Sequence, residues 1–98
     1  MGITVTDAQA RILRVNPSFC AITGYTAEEV VGQNPRLLQS GQHPREFYEG
    51  MWKTILGGHV WHGEMHNRRK DGTPFIEEMT ISPVRDSAGT ITHFIAIK

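Results

Sequence analysis

Cysteine is nearly absent: Cys20 stands alone in 98 residues, so neither an internal disulfide nor a cysteine-cluster metal site can form. An excess of charge of either sign is missing too, ten Lys and Arg balancing ten Asp and Glu. Binding to a phosphate backbone then has no electrostatic drive, and nucleic acid is not an expected partner. No segment approaches the ~18 consecutive apolar residues of a membrane span, and no signal peptide or low-complexity run is present. The expectation is a cytoplasmic module without direct membrane insertion. Catalytic wording is missing as well: there is no Ser-His-acid order, phosphate-binding glycine loop or metalloprotease motif, so no enzyme is expected. Ninety-eight residues make one domain with one modest core.

What is present is a clear succession of elements. Ile3-Thr4-Val5-Thr6 alternates as a strand, and Arg11 to Val15 reads as its hairpin partner. Asn16 before Pro17 is an N-cap with proline at the first helical position, and Gly24 ends that helix. Thr26 and Glu29 form a capping box for a second short helix ending at Gly32, and Asn34-Pro35 opens a turn through Leu38. From Pro44 to Leu56, the residues Phe47, Tyr48, Met51, Trp52, Ile55 and Leu56 form one apolar stripe on a longer helix. Three strands follow, Val60 to Arg69, Phe75 to Val84 and Thr90 to Ile97, parted by the turn signals Lys70-Asp71-Gly72-Thr73 and Asp86-Ser87-Ala88-Gly89. Two strands, several helices and three strands are best buried as an α+β fold, one antiparallel sheet with its helices on one face.

The runs GYTAEEVVGQNPRLLQSG and WHGEMHNRRKDGTPFIEEMTISPVRDSAGTITHFIAIK, with Thr6-Asp7 and Asn16-Pro17, resemble a PAS sensor domain over nearly the whole chain. The resemblance implies a five-stranded antiparallel sheet in the order 2-1-5-4-3 with a ligand cavity under its helices. It also implies residues 1–98 as a single sensory module, excised from its C-terminal linker and effector. Similar bacterial domains regulate histidine kinases of two-component systems and diguanylate cyclases, so the implied function is control of a covalently linked effector by redox state or a small ligand. The alternative is a ligand-free module for dimerisation or docking.

Asn34-Pro35-Arg36-Leu37-Leu38-Gln39 further resembles the flavin motif Asn-Cys-Arg-Phe-Leu-Gln of light-oxygen-voltage domains. Pro35 occupies the reactive cysteine's place and offers no nucleophile, which excludes a light-driven thiol adduct. Two further flavin-contacting asparagines of that group align with Asn67 and Glu77, and a glutamine of its last strand with Lys98. The FAD-binding redox domains of nitrogen-fixation regulators are nearer in wording, through Trp61-His62-Gly63 and Asn67-Arg68-Arg69-Lys70-Asp71. What this implies is FAD, with no cofactor as the alternative, held by Asn34, Arg36, Gln39, Trp61, Met65, Asn67, Glu77 and Met79. Strand alternation puts Trp61, Gly63, Met65 and Asn67 on one face, and the resemblance makes it the cavity wall.

Each residue also has a plainer reading. Trp61 can fill space between sheet and helix, and Asn67 can satisfy buried backbone. Glu77, if inward, needs Arg36, Lys98 or a ligand donor beside it; otherwise it lies at a wet rim. Arg68, Arg69 and Lys70 either hold a cofactor phosphate or are solvated. His62, Glu64 and His66 share a strand face, where zinc competes with a plain solvent or dimer face. Haem is not expected, because no histidine falls between Pro44 and Leu56. On the opposite sheet face, Ile76 and Val84 are more apolar than solvent exposure needs, so a homodimer pairing through these strands is expected.

Overall fold

Asn16 organises the start of the chain. In the computed structural model, which describes residues 1–98, its Oδ1 accepts from the Ile3 amide at 2.9 Å and from the Phe19 amide at 3.0 Å, while its Nδ2 donates to the Met1 carbonyl. One side chain thus caps α1 (Pro17–Thr23) and stitches it to β1 (Ile3–Asp7). Gly24, at φ 80°, closes α1 in the left-handed region that a side chain would resist. Thr26 and Glu29 complete the capping box of α2 (Ala27–Val30). A short 3-10 turn, Pro35–Leu38, follows with Asn34 as its cap.

The expected order of elements holds, with shifted ends. β2 is Ile12–Val15, α3 is Arg45–Leu56, β3 is Trp61–Arg68, β4 is Pro74–Arg85 and β5 is Ile91–Ile97. Pro44 is extended (ψ 163°) and precedes α3 rather than beginning it. Val60 stays outside β3, whose pairing with β4 begins at Trp61 opposite Ile81, and the Arg69 amide is drawn into the turn by the Thr73 carbonyl. Pro83, inside β4, sits beyond Ile81, where β3 no longer runs alongside, as a residue without an N–H requires.

All five strands form one antiparallel sheet in the order β2-β1-β5-β4-β3. Its helical face carries two buried clusters. Met51 and Ile55 of α3 meet Met65, Met79, Ile81 and Phe94 of the sheet, while Ile12 of β2 meets Phe19, Val30 and Leu38. The edge of β3 is closed by the segment before α3: Gln39 bridges to Asn67, Ser40 Oγ donates to the His66 carbonyl at 2.7 Å, and the His66 amide donates to His43 Nε2 at 2.9 Å. Those groups would otherwise be an open template for strand addition.

Candidate functional site

Between the two clusters lies a cavity of about 90 Å³. Its sheet wall alternates as the strands do: Thr4 and Thr6 on β1, Met65 and Asn67 on β3, Met79 and Ile81 on β4, Phe94 and Ala96 on β5. Tyr48, Met51, Trp52 and Ile55 of α3 and Leu38 of the 3-10 turn close the other side. Most of the lining is apolar, so its polar groups stand out.

Six of the eight residues expected to contact a ligand line this cavity: Asn34, Arg36, Gln39, Met65, Asn67 and Met79. Trp61 does not. It keeps the expected face, but it stands at the first position of β3, before the lining residues Met65 and Asn67, so the indole falls beside the cavity, edge-on to Phe47 at 5.6 Å. A Cβ on Gly63 would stand 2.7 Å from that indole, so the glycine makes room for the chain's own tryptophan rather than for a bound ring.

Glu77 also stands behind the lining. Its side chain keeps only 8% of its exposure, Oε1 accepts from Asn67 Nδ2 at 2.9 Å, and Lys98 Nζ approaches to 3.6 Å. Lys98, at 5%, is the buried cation that an inward Glu77 requires. Its ammonium lies 4.8 Å over the Phe19 ring. Burial pushes Lys98 below the usual lysine range, against the opposing pull of Glu77.

Reasoning from motifs missed the two unpaired hydroxyls of the lining. Thr4 Oγ1 and Tyr48 Oη are buried at the cavity wall without a hydrogen-bond partner. Desolvation raises the Tyr48 phenol, which therefore keeps its proton. Thr4 was detectable only as the polar member of an alternating strand, and Tyr48 read as one more residue of the α3 stripe.

The basic run is structural. Arg69 Nε donates to the Ile22 carbonyl at 3.0 Å while its guanidinium covers Phe75, the Lys70 amide donates to the Thr23 carbonyl, and Lys70 Nζ pairs with Glu29. These contacts dock the β3–β4 turn onto α1 and α2, and Arg68 is left exposed. The histidines of the strand face read as a zinc alternative bond to neighbouring side chains. His62 bonds Thr80 and His66 bonds Glu64, and nowhere do three metal-ligating side chains converge.

A five-stranded antiparallel sheet with its helices on one face and a cavity beneath them is the frame of a sensor domain. The chain belongs to the PAS domain family, whose profile matches residues 1–97; domains of this family are generally regulatory rather than catalytic. It is 42% identical over 98 residues, all of this chain and 20% of the relative, to a nitrogen fixation regulatory protein of Klebsiella oxytoca. It is 36% identical over 101 residues to a bacterioopsin transcriptional activator of Halobacterium salinarum, again all of this chain and 15% of the relative. An RNA-binding light-oxygen-voltage receptor superposes with a TM-score of 0.91 at 37% identity, over 97% of this chain and 28% of that one. A light-oxygen-voltage domain described with a flavin analogue gives 0.89 at 26% identity, over 97% and 73%. The chain therefore spans about a fifth of the curated relatives it matches. No helix is long and apolar enough to cross a membrane.

Proposed function

We propose that this chain is the input module of a larger cytoplasmic signalling protein, one that holds a small molecule in the cavity and sets the state of a covalently linked effector. A histidine kinase or a diguanylate cyclase fits that role. The observation that carries the reading is the pair of orphaned hydroxyls, Thr4 and Tyr48, in the wall of an otherwise apolar cavity. Buried polar groups are nearly always paired, and an occupant supplies the missing partners.

FAD fits this cavity only in part. The amides of Asn34, Gln39 and Asn67 suit the edge of a flavin ring. The volume does not suit it: about 90 Å³ is less than the ~150 Å³ that accepts a single benzene, and an isoalloxazine has three fused rings. A smaller occupant is favoured. The deciding experiment is denaturation of the purified protein with mass spectrometry of whatever it releases. A colourless protein releasing a small non-flavin compound is expected; a yellow one releasing FAD would overturn the smaller occupant, and release of nothing would favour a ligand-free module.

Association is the second reading, and one observation supports it. Ile76 is 60% exposed and Ile97 39% on the face turned away from the helices, where Ile3 opposes Ile97 and Val5 opposes Ile95 across β1 and β5. A homodimer pairing through this face covers them.

A further inference from the structure

The polar groups in the cavity are unequal in kind. Thr4 Oγ1 and Tyr48 Oη have no partner. Lys98 Nζ lies 3.6 Å from its nearest carboxylate oxygen, beyond hydrogen-bonding distance, although its side chain is 95% removed from solvent. All three can donate. Lys98 has three N–H groups and one carboxylate neighbour, Glu77, and Tyr48 holds its proton firmly because burial raises its phenol. The neighbouring acceptor is already engaged, since Glu77 Oε1 receives Asn67 Nδ2 and faces Lys98. Thr4 pairs with Ala96 on β5, and Lys98 is the next residue on the same face, so two of the donors belong to adjacent strands. Tyr48 lines the cavity from α3.

Charge narrows the occupant further. Glu77 balances Lys98 inside the protein, so neither an anion nor a cation finds an unpaired counter-charge there, and each would lose its own hydration without repayment. An uncharged acceptor avoids both costs. The remaining walls are hydrocarbon and thioether, with Met51, Met65 and Met79 able to adapt to an irregular shape. About 90 Å³ holds only a handful of heavy atoms.

Resting on the ligand-sensing reading above, we infer that the cavity takes a small uncharged carbonyl compound, its hydrocarbon body among the methionines and its oxygen receiving hydrogen bonds from donors of the wall, Thr4 and Lys98 on the sheet side or Tyr48 on α3. A carbonyl oxygen accepts without donating, which is what this wall lacks. Arg36, at the rim, is exposed and does not select.

The test uses four compounds of similar size, acetone, acetate, isopropylamine and 2-methylpropene, with affinity read from amide NMR shifts of the chain. Acetone is expected to bind at least tenfold more tightly than the other three, and to shift Thr4 and Lys98. The preference over 2-methylpropene should shrink in the Thr4→Val/Tyr48→Phe variant, which keeps the shape and removes two donors. In a second variant, Glu77→Leu/Lys98→Met, the charged compounds should stay excluded, since an apolar cavity repays none of their lost hydration, while acetone loses one donor and binds more weakly. Tighter binding of the acetate or the amine overturns the carbonyl assignment and leaves ligand sensing standing. Equal binding of acetone and 2-methylpropene overturns the assignment as well. If none binds, the carbonyl assignment falls, and if the denatured protein also releases nothing, the ligand-sensing reading falls with it.

Discussion

A methyl group on Gly63 has no place to go while the Trp61 indole lies across it. Gly63→Ala is expected to push the indole off its edge contact with Phe47 and destabilise the fold by ~1–3 kcal/mol, the usual range for overpacking. Chemical denaturation and tryptophan emission in a Trp52→Phe background would detect both effects; an unchanged emission maximum would show that the indole does not depend on the glycine. The Glu77–Lys98 pair calls for a different experiment. Lys98→Met leaves a buried carboxylate with Asn67 alone and should cost ~3 kcal/mol, whereas Glu77→Leu/Lys98→Met should come within ~1 kcal/mol of the parent or exceed it. Because burial lowers Lys98, the unfolded chain binds more protons than the folded one between the depressed value and the ordinary 10.5. Stability contributed at this position therefore rises with pH across that window. The double variant should lack that rise in melting temperature, and an identical alkaline profile would refute it.

Among the elements, the two helix caps and the body of α3, though not its start at Arg45, were legible, because a stripe of apolar residues and the pattern Asn16-Pro17 or Thr26 with Glu29 state their own geometry. The strands were legible as strands but not at their ends. Pairing partners decide where a ladder stops, as at Trp61 and Ile81, and one sequence does not display its partner. A similar limit applies to Trp61: alternation gives the face of a side chain, but not how far along the strand the cavity extends, and it reaches Met65 and Asn67 without reaching Trp61. Glu77 was legible as a demand for a cation, which Lys98 meets from another strand. The closure of the β3 edge was invisible, since it depends on His43, a loop residue whose ring stacks on Phe47 at 3.8 Å and accepts the His66 amide. Desolvation, aided by His66 and opposed by Glu64, holds His43 below its ordinary 6.5. The unfolded chain then takes up protons first on acidification, so stability falls as pH drops from about 6.5 toward the lower folded-state value. His43→Gln should flatten that part of the melting-temperature profile; an unaltered acid slope would place the titration elsewhere.

For the molecule as a whole, the outer sheet face decides association. Ile76→Glu puts a charge at the β4 margin of that face, and Ile97→Glu puts one at its centre, beside Ile3 and Thr80. If copies pair there, sedimentation should show a dimer that each substitution weakens, by at least tenfold for Ile97→Glu. A monomer at high concentration, or a dimer indifferent to both, would refute it. One further property follows from the way β1 and β5 meet. They run antiparallel, Ile3 faces Ile97, and the Lys98 amide donates to the Gly2 carbonyl at 2.9 Å. Tension applied through Gly2 and Lys98 would therefore load these hydrogen bonds one after another, as a zipper opens, instead of all together in shear. The first residue drawn away would be Lys98, which is also part of the cavity wall. A molecule gripped by that lysine should raise the force at which the two strands part, and optical-tweezer pulling from these two positions would measure the pocket's occupancy as mechanical strength.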